Sequence, residues 1–312
     1  MSGPVLVTGG AGFIGVNLAR GLAAAGIEAW CFDDFSTGHR HDAEAAGFAR
    51  VLEGDVTDPA SLGAAVRGAH AVVHLAAQPG VPASVQDPMR DLHLNVVGTV
   101  TALLAARDAG VERFVLASSN APLGEVVPPA HEEVVPRPRS PYGASKLAAE
   151  AYCSAFGGAY GLRALALRFA NVYGPFSYHK GSAVAAFMKA AVQGEPLVVH
   201  GDGSQTRDFV YVGDICAGLV AGLDAPEGTA VVHLGTGIET AVSEVVAGVA
   251  AAFPDRELVV EHRPPRAGDV QRNCADIGLA RKVLGYAPGT SLAEGLAATA
   301  DWFRATQGTT PR

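Results

Sequence analysis

The chain has few charged residues and no excess of positive charge: 17% of its 312 residues are charged, with 23 Lys and Arg against 31 Asp and Glu. The net charge of -8 argues against a broad basic surface for nucleic acid, so an anionic ligand would need locally placed Arg or Lys. The sequence also lacks an apolar run long enough to cross a bilayer, and its start lacks the charged and apolar regions of an export signal. These absences predict a cytoplasmic protein that binds neither nucleic acid nor a membrane.

Cysteine is scarce as well. The four cysteines, Cys31, Cys153, Cys216 and Cys274, lie far apart and lack the spacing of a metal or redox site, so we expect reduced thiols and no metal. The chain is instead rich in apolar residues, 49% of the total, in segments that Gly and Pro interrupt. This composition is typical of a globular protein with a full core, and the length allows one large domain or two smaller ones.

Short apolar runs alternate with Ala- and Leu-rich helical stretches over the first half of the chain. Runs such as Ala71–Leu75 are almost continuously apolar, as expected for parallel strands that are buried on both faces. We therefore predict an α/β protein with a Rossmann-type, doubly wound parallel sheet. After about Gly174 the alternation weakens, which predicts a smaller α/β lobe over the crevice at the strand ends. The predicted strands are Val5–Val7, Ala29–Phe32, Ala71–Leu75 and Phe114–Ala117, and the predicted helices include Ile14–Ala25, Leu62–Gly68 and Val96–Ala106.

A glycine turn, Gly9-Gly10-Ala11-Gly12-Phe13-Ile14-Gly15, joins the first predicted strand to the first predicted helix. Glycines in this context allow a tight turn and let backbone N–H groups approach a pyrophosphate. Asp33 and Asp34 end the next strand, where a carboxylate accepts hydrogen bonds from the adenosine ribose and repels a 2′-phosphate. The pattern predicts NAD rather than NADP, with Asp33 on the ribose. A plain strand-to-helix turn is the alternative.

Asp55, in Gly54-Asp55-Val56, ends a further predicted strand. Asp55 is a candidate to bind the adenine amine, with a turn or capping role as the alternative. An NAD-binding domain is expected over residues 1–174, where the α/β alternation is regular, with a returning segment near 208–237. The substrate-binding lobe is expected over residues 175–207 and 238–312.

Tyr142 and Lys146 stand four residues apart at the start of a predicted helix, so both side chains project from one face. Lowering the pKa of a tyrosine from about 10 to about 7 takes roughly 4 kcal/mol of preference for the phenolate, which an ammonium and an oxidised nicotinamide could supply. Tyr142 is therefore a candidate general base. Ser119, which follows the strand Phe114–Ala117, is a candidate to share the substrate proton. The alternatives are a buried ring with a solvated amine, and a turn or cap role for Ser119.

An ordered set of motifs over nearly the whole chain resembles the extended short-chain dehydrogenase/reductases, within them the NAD-dependent epimerases and dehydratases similar to UDP-glucose 4-epimerase. The motifs are Thr8 to Gly15, His74-Leu75-Ala76-Ala77, Asn95-Val96-Val97-Gly98-Thr99, Tyr142 to Lys146, Arg168 to Pro175, Gly201 to Phe209 and Arg266-Ala267-Gly268-Asp269-Val270. The cofactor contacts that follow from the glycine turn and the resemblance are Gly9, Gly12, Phe13, Ile14, Asp33, Asp34, Asp55, Val56, Leu75, Ala76, Ala77, Tyr142 and Lys146.

The resemblance also implies a UDP-sugar substrate. Arg207 and Arg266 would bind its phosphates, for which the planar, permanently charged guanidinium is suited. In the implied reaction, Tyr142 takes the C4 hydroxyl proton and the C4 hydride passes to NAD, then returns to the other face of a 4-keto sugar. A homodimer through paired helices, one starting with the Tyr142 segment, is implied as well. The implied substrate contacts are Ser84, Ser119, Asn120, Tyr142, Asn171, Arg207, Arg266, Asp269, on the uridine ribose, and Asn273.

The loop after Ser119 departs from the family pattern: Pro122 and Leu123 stand where Val-Tyr is usual, which leaves the shape of the sugar pocket open. Asn120 and Ala121 cannot act as the acid pair of the 4,6-dehydratases, and the Glu of UDP-glucuronate decarboxylases is missing, so a 4-epimerase is favoured. The alternatives are a decarboxylase, a 5-epimerase, a 4-ketosugar reductase, or a protein that binds NAD and nucleotide-sugar without turnover.

Asn273 stands where a bulky Tyr restricts some 4-epimerases to plain hexoses. An Asn is intermediate in size. The resemblance therefore implies UDP-glucose or UDP-galactose, and leaves UDP-N-acetylhexosamine and UDP-hexuronate open as substrates.

Overall fold

The computed structural model describes residues 3–228, 230–265 and 270–306. In this part of the chain, seven parallel strands form the central sheet in the order β11-β6-β5-β4-β1-β2-β3. The strands are β1 (Val5–Thr8), β2 (Ala29–Asp33), β3 (Arg50–Glu53), β4 (Ala71–His74), β5 (Arg113–Ser119), β6 (Arg163–Phe169) and β11 (Val231–Leu234). The predicted Rossmann-type α/β fold is confirmed.

The strand order reverses between β1 and β4, where Thr8 is in register with both Phe32 and His74. Ligands of open parallel sheets bind at such a switch point, outside the carboxyl ends of the strands. This edge of the sheet therefore positions the candidate site.

Helices cover both faces of the sheet because alternate strand residues point to opposite sides. Val7, on one face, belongs to a core with α1, α2, α9 and α11, whereas Leu6, on the other, packs in a core with α3, α6 and α7. The helices are α1 (Phe13–Ala24), α2 (Arg40–Ala46), α3 (Pro59–Ala65), α4 (Val81–Gln86), α5 (Pro88–Leu92), α6 (Gly98–Asp108), α7 (Pro141–Tyr160), α9 (Val212–Gly222) and α11 (Gly278–Leu284), with a π-helical turn at His93–Val97 and a 3-10 turn at Ala121–Leu123.

The helix α7 has well-defined signals at both ends. The Ser140 side chain caps its first turn by accepting a hydrogen bond from Gly143 N at 3.1 Å, and Pro141 occupies the first helical position. Gly161, with φ 70°, ends it in the left-handed conformation. An N-cap of this kind stabilises a helix by about 0.5–2 kcal/mol, so the sequence fixes where the helix with Tyr142 and Lys146 begins.

A third core lies outside the central sheet, where Met188, Val249 and Phe303 pack together from three helices. The elements here are β7 (Asn171–Tyr173), α8 (Ala183–Gln193), β8 (Leu197–His200), β9 (Thr206–Arg207), β10 (Phe209–Tyr211), β12 (Thr240–Ala241), α10 (Val242–Ala252), β13 (Val260–Arg263) and α12 (Leu292–Thr306). The strands β7 and β10, β8 and β13, and β9 and β12 form three separate pairs. The separate core and the return of β11 to the central sheet support the predicted domain boundaries, which we keep as a proposal.

Each of the four cysteines is a buried free thiol, as predicted. Among the described helices, none is both long enough and apolar enough to span a membrane. In the same residues, no cluster of three or more His, Cys, Asp and Glu could hold a metal ion.

Candidate active site

A cavity of about 1300 Å³ extends from the switch point of the sheet to the third core. Its size exceeds the roughly 300–1,000 Å³ of a pocket for one small ligand, so it has room for a dinucleotide and a second ligand. Nearly all of the predicted site residues that the structure describes line it, namely Gly9, Gly12, Phe13, Ile14, Asp33, Asp34, Asp55, Val56, Leu75, Ala76, Ala77, Ser119, Asn120, Tyr142, Lys146, Asn171, Arg207 and Asn273.

The close turn that would hold a cofactor diphosphate can form only because its glycines have no side chains. A Cβ on Gly9, whose φ is +68°, would lie 2.6 Å from Ala76 N, and one on Gly15 would lie 2.5 Å from Gly10 O. Gly12 stands at the N-cap of α1 and has no side chain with which to satisfy the first-turn N–H groups. These amides, at the positive end of the helix dipole, can therefore bind a diphosphate.

Asp33, at the end of β2, connects the glycine turn to the ribose position. Its Oδ2 accepts a hydrogen bond from Ala11 N at 2.9 Å, and its Oδ1 accepts one from Phe35 N at 2.8 Å. Burial raises the pKa of Asp33, and the two backbone amides act in the opposite direction. Each carboxylate oxygen keeps a further lone pair, so Asp33 can accept hydrogen bonds from ribose hydroxyls.

Asp34 and Asp55 line the cavity but also cap their own turns. Asp34 Oδ1 accepts hydrogen bonds from the Ser36 backbone N at 3.0 Å and from its Oγ at 2.7 Å. Asp55 Oδ1 accepts from Thr57 N and Oγ1, both at 2.8 Å. These bonds account for the turn role that we weighed for Asp55, and binding of the adenine amine stays a prediction.

Tyr142, in the first turn of α7, is hydrogen-bonded to Ser119, the last residue of β5. The pKa of Tyr142 is raised to about 12, chiefly by burial and in smaller part by the charge of Asp91, while the Ser119 hydrogen bond acts in the opposite direction. The phenol is therefore protonated near neutral pH unless positive charge is placed beside it.

Lys146 can provide such a charge. It is only 5% exposed, and its Nζ donates a hydrogen bond to Ala117 O at 2.8 Å. Burial lowers the pKa of Lys146 to about 8, while the charges of Asp91 and Glu150 oppose this shift. Lys146 is thus mostly protonated at neutral pH, and the ammonium stands on the same helical face as the phenol.

The predicted substrate residues come together on the side of the third core. Asn171 begins β7, Arg207 lies in β9 with one guanidinium N–H on Thr206 O at 2.7 Å, and Asn273 donates its backbone N–H to the same Thr206 O at 3.2 Å. Arg207 therefore gives an acidic protein a local cation for a phosphate. Arg266 and Asp269 lie outside the described residues.

Ser84 does not line this cavity among the residues described. It is fully buried, and its Oγ donates to Val81 O at 2.8 Å within the same helical turn, so the structure gives its predicted substrate role no support.

The unusual loop after Ser119 affects the cavity less than we expected. Pro122 and Leu123 are both buried and absent from the described lining, so only Asn120 and Ala121 of the four loop residues line the cavity. Asn120 is 7% exposed, and both atoms of its side-chain amide lack a hydrogen-bond partner within the described chain. A buried amide of this kind is costly unless a ligand pairs with it.

The sequence did not single out Lys180, which also lines the cavity. Its Nζ lies 4.8 Å from the centre of the Phe13 ring, and burial lowers the pKa of Lys180 to about 8. Asn17 ties the surrounding loop to α1 by donating to Phe13 O at 2.8 Å and to Pro175 O at 3.0 Å. A single lysine in a loop gives no pattern by which it could be found.

Comparison with known proteins identifies the class of this site. Residues 5–235 match the model of the NAD dependent epimerase/dehydratase family. The chain is 39% identical over 309 residues to a UDP-glucose 4-epimerase of Mycolicibacterium smegmatis, which covers 96% of this chain and 98% of that protein. The chain therefore belongs to the NAD dependent epimerase/dehydratase family.

Two solved structures agree closely with the fold. A UDP-glucose 4-epimerase of Thermotoga maritima, solved with UDP-glucose, has a TM-score of 0.90 at 34% identity, covering 97% of this chain and 99% of that one. The enzyme of Thermus thermophilus, in complex with NAD, has a TM-score of 0.88 at 36% identity, covering 96% and 99%. The resemblance inferred from the motifs is confirmed.

Proposed function

We propose that this chain is an NAD-dependent UDP-sugar 4-epimerase, an isomerase that inverts C4 of the sugar through a transient 4-keto intermediate. One observation carries the proposal: a single cavity joins the glycine turn and Asp33 to Tyr142, Lys146 and Arg207. Cofactor, base and phosphate anchor thus face one space, as reversible oxidation of a nucleotide-sugar requires.

Bound NAD would reversibly accept a hydride from C4. The glycine turn would hold its diphosphate and Asp33 its adenosine ribose. Lys146 Nζ has donors beyond the one that it gives to Ala117 O, and these would bind the nicotinamide ribose hydroxyls.

Tyr142 would take the C4 hydroxyl proton and later return it. Burial raises the pKa of Tyr142 to about 12 although the Ser119 hydrogen bond acts in the opposite direction, so positive charge from Lys146 and from an oxidised nicotinamide would be needed to favour the phenolate. Proton transfer by such a positioned side chain typically contributes about 10²–10⁴-fold to the rate.

The nucleotide must stay bound while the sugar turns over. Asn171 and Arg207, on β7 and β9, would hold the diphosphate, and we propose the same for Arg266 and a ribose contact for Asp269 from the motif alone. The unpaired Asn120 amide would contact the sugar, since a hydroxyl can donate to its Oδ1 and accept from its Nδ2. We propose UDP-glucose and UDP-galactose as substrates because the chain is similar to UDP-glucose 4-epimerases.

We also propose a cytoplasmic homodimer. Apolar side chains on the π-helical turn, α6 and α7 are exposed, including Val97 at 37%, Leu104 at 37% and Tyr152 at 43%. A second copy that pairs its helices with these would cover them, and light scattering of the purified protein measures the oligomeric state.

The function is tested by incubating the NAD-loaded protein with UDP-glucose, UDP-N-acetylglucosamine, UDP-glucuronate and dTDP-glucose, and identifying products by NMR. A 4-epimerase forms the C4 epimer without added reductant and releases no carbon dioxide, whereas a reductase needs reductant and a decarboxylase releases the gas. Binding without conversion of any sugar would support the non-catalytic alternative.

Tyr142→Phe tests the base. We expect NAD and UDP binding to persist while turnover falls by about 10²–10⁴-fold. Tyr160→Phe removes the same hydroxyl from an exposed ring at the other end of α7 and serves as the control. Unchanged turnover in the Tyr142 variant would exclude it as the base.

A further inference from the structure

Asp91 is a buried carboxylate behind the catalytic helix to which the proposed reaction assigns no role. It is 1% exposed and lies on α5, which packs against α7. Its Oδ1 accepts a hydrogen bond from Asn95 Nδ2 at 2.9 Å, but its Oδ2 has no partner among the described residues. Such an oxygen is costly to bury, so its retention calls for a reason.

Asn95 connects Asp91 to the catalytic helix. The same Nδ2 also donates to Ser145 Oγ at 3.1 Å, and Ser145 precedes Lys146. Asn95 lies in the π-helical turn His93–Val97, a rare conformation that is frequent at functional sites. This turn and the two hydrogen bonds fix Asp91 relative to the start of α7.

The charge of Asp91 acts on both members of the catalytic pair. It favours the ammonium form of Lys146 and disfavours the phenolate of Tyr142. The other carboxylate facing Lys146, Glu150, is paired with Arg168 at 2.7 Å, whereas Asp91 takes part in none of the ion pairs of the described chain. Besides Tyr142, the other titratable groups that interact with Lys146 among the described residues are Cys153 and the buried His74.

We propose that Asp91 is a positioning residue for the catalytic pair: its uncompensated carboxylate keeps Lys146 in the ammonium form that the Tyr142 phenolate needs. It does so through charge and through the Asn95–Ser145 hydrogen bonds, without touching substrate. The inference rests on the proposed function in assigning Tyr142 as the base, but the effect on Lys146 can be measured without substrate.

The chain has four lysines, Lys146, Lys180, Lys189 and Lys282, so the ¹³Cε signals of labelled lysine can be resolved by NMR in the NAD-loaded protein. Lys146→Met identifies the Lys146 signal by its loss. We expect Asp91→Asn, which keeps an acceptor for Asn95, to move the titration of Lys146 to lower pH. In the epimerase assay, the alkaline limb of the kcat profile should move in the same direction.

Asp87→Asn is the matched control, because it removes one negative charge from the exposed N-cap of the same helix and leaves a capping side chain. Asp87→Asn should change neither the titration of Lys146 nor the pH profile of kcat. Asp91→Leu, whose side chain has the same four-atom branched skeleton, is the second charge-removing variant if Asp91→Asn does not fold.

An unchanged Lys146 titration in a folded Asp91 variant would overturn the proposal, as would failure of both variants to fold, which would assign Asp91 a structural role instead. A shifted titration in a protein that converts no UDP-sugar would support the effect on Lys146 and count against the proposed function alone.

Discussion

Gly9→Ala is expected to destabilise the protein more than an ordinary glycine substitution does. Its φ of +68° is a conformation that costs an L-residue about 1–2 kcal/mol. The new Cβ would also lie 2.6 Å from Ala76 N and 2.9 Å from Ala76 Cα, both backbone atoms that cannot rotate away. Overpacking of this kind adds about 1–3 kcal/mol, so we expect a total of roughly 2–5 kcal/mol.

Two further glycines separate the causes. Gly26 has a similar φ of +70° but no described heavy atom within 4 Å of an added Cβ, so Gly26→Ala should cost only the conformational strain. Gly12 has φ -76°, and its Cβ would meet Gly9 O at 3.2 Å, so Gly12→Ala should leave the fold stable. Its methyl group would instead crowd the first-turn amides of α1 and weaken NAD binding.

Urea denaturation of the cofactor-free proteins measures the stability differences, and fluorescence titration with NAD measures binding. The expected order of destabilisation is Gly9→Ala, then Gly26→Ala, then Gly12→Ala. An equal loss of stability for Gly9→Ala and Gly26→Ala would refute the argument from close backbone approach. Normal NAD affinity in Gly12→Ala would refute the placement of the diphosphate at the start of α1.

Arg168→Met leaves the buried Glu150 carboxylate without its cation and should lower the free energy of unfolding by about 3–5 kcal/mol. Adding Glu150→Gln to the same chain should restore most of this loss, and denaturation of the single and double variants tests both expectations. Asn120→Ala should lower kcat/KM for the UDP-sugar by about 5- to 150-fold, through about 1–3 kcal/mol of lost hydrogen bonding, with NAD affinity unchanged. Burial lowers the pKa of His74 to about 3 and of His233 to about 4. As the pH drops below about 6.5, the unfolded chain takes up these protons before the folded one does. The free energy of unfolding should therefore fall between about pH 6.5 and pH 4, by at most about 1.4 kcal/mol per pH unit for each histidine. Denaturation at a series of pH values measures this slope, which His74→Gln should reduce.

Local sequence patterns were enough to predict the fold and much of the lining of the cavity. The glycine turn, Asp33 at a strand end and the Tyr142–Lys146 spacing each combine residue type with a position that the backbone dictates. Such features are readable because the strand, turn or helix that places them is encoded within a few neighbouring residues.

Residues that act through tertiary contacts could not be found in this way. Asp91 and Lys180 are single charged residues. The role of Asp91 depends on its burial against α7, and that of Lys180 on its contact with the Phe13 ring. Ser84 shows the converse, since a motif position suggested a ligand contact, but its hydroxyl proton is donated to Val81 O, so its substrate role stays a prediction. Whether a polar side chain is available to a ligand depends on its local partners, which the sequence does not show.

The motif residues Thr8, His74 and Thr99 gain a physical role from the structure. Thr99 donates its hydroxyl proton to Asn95 O at 2.6 Å, so it accepts from His74 Nε2–H at 3.2 Å. His74 Nδ1 then accepts from the Thr8 hydroxyl at 2.8 Å. This assigns His74 as the neutral Nε2–H tautomer, consistent with burial lowering its pKa to about 3.

A buried chain of hydrogen bonds thus runs from the residue before Gly9 to the π-helical turn that holds Asn95. Asn95 in turn donates to Ser145, beside Lys146. This series of hydrogen bonds crosses β1, β4 and α6. Because its members are buried, water cannot replace the bonds, and they fix the glycine turn relative to α7. Reversible hydride transfer depends on the relative position of the glycine turn and α7, since a misplacement of about 1 Å can cost about 10²-fold in rate. The motifs that bind no ligand therefore serve the same reaction as those that do.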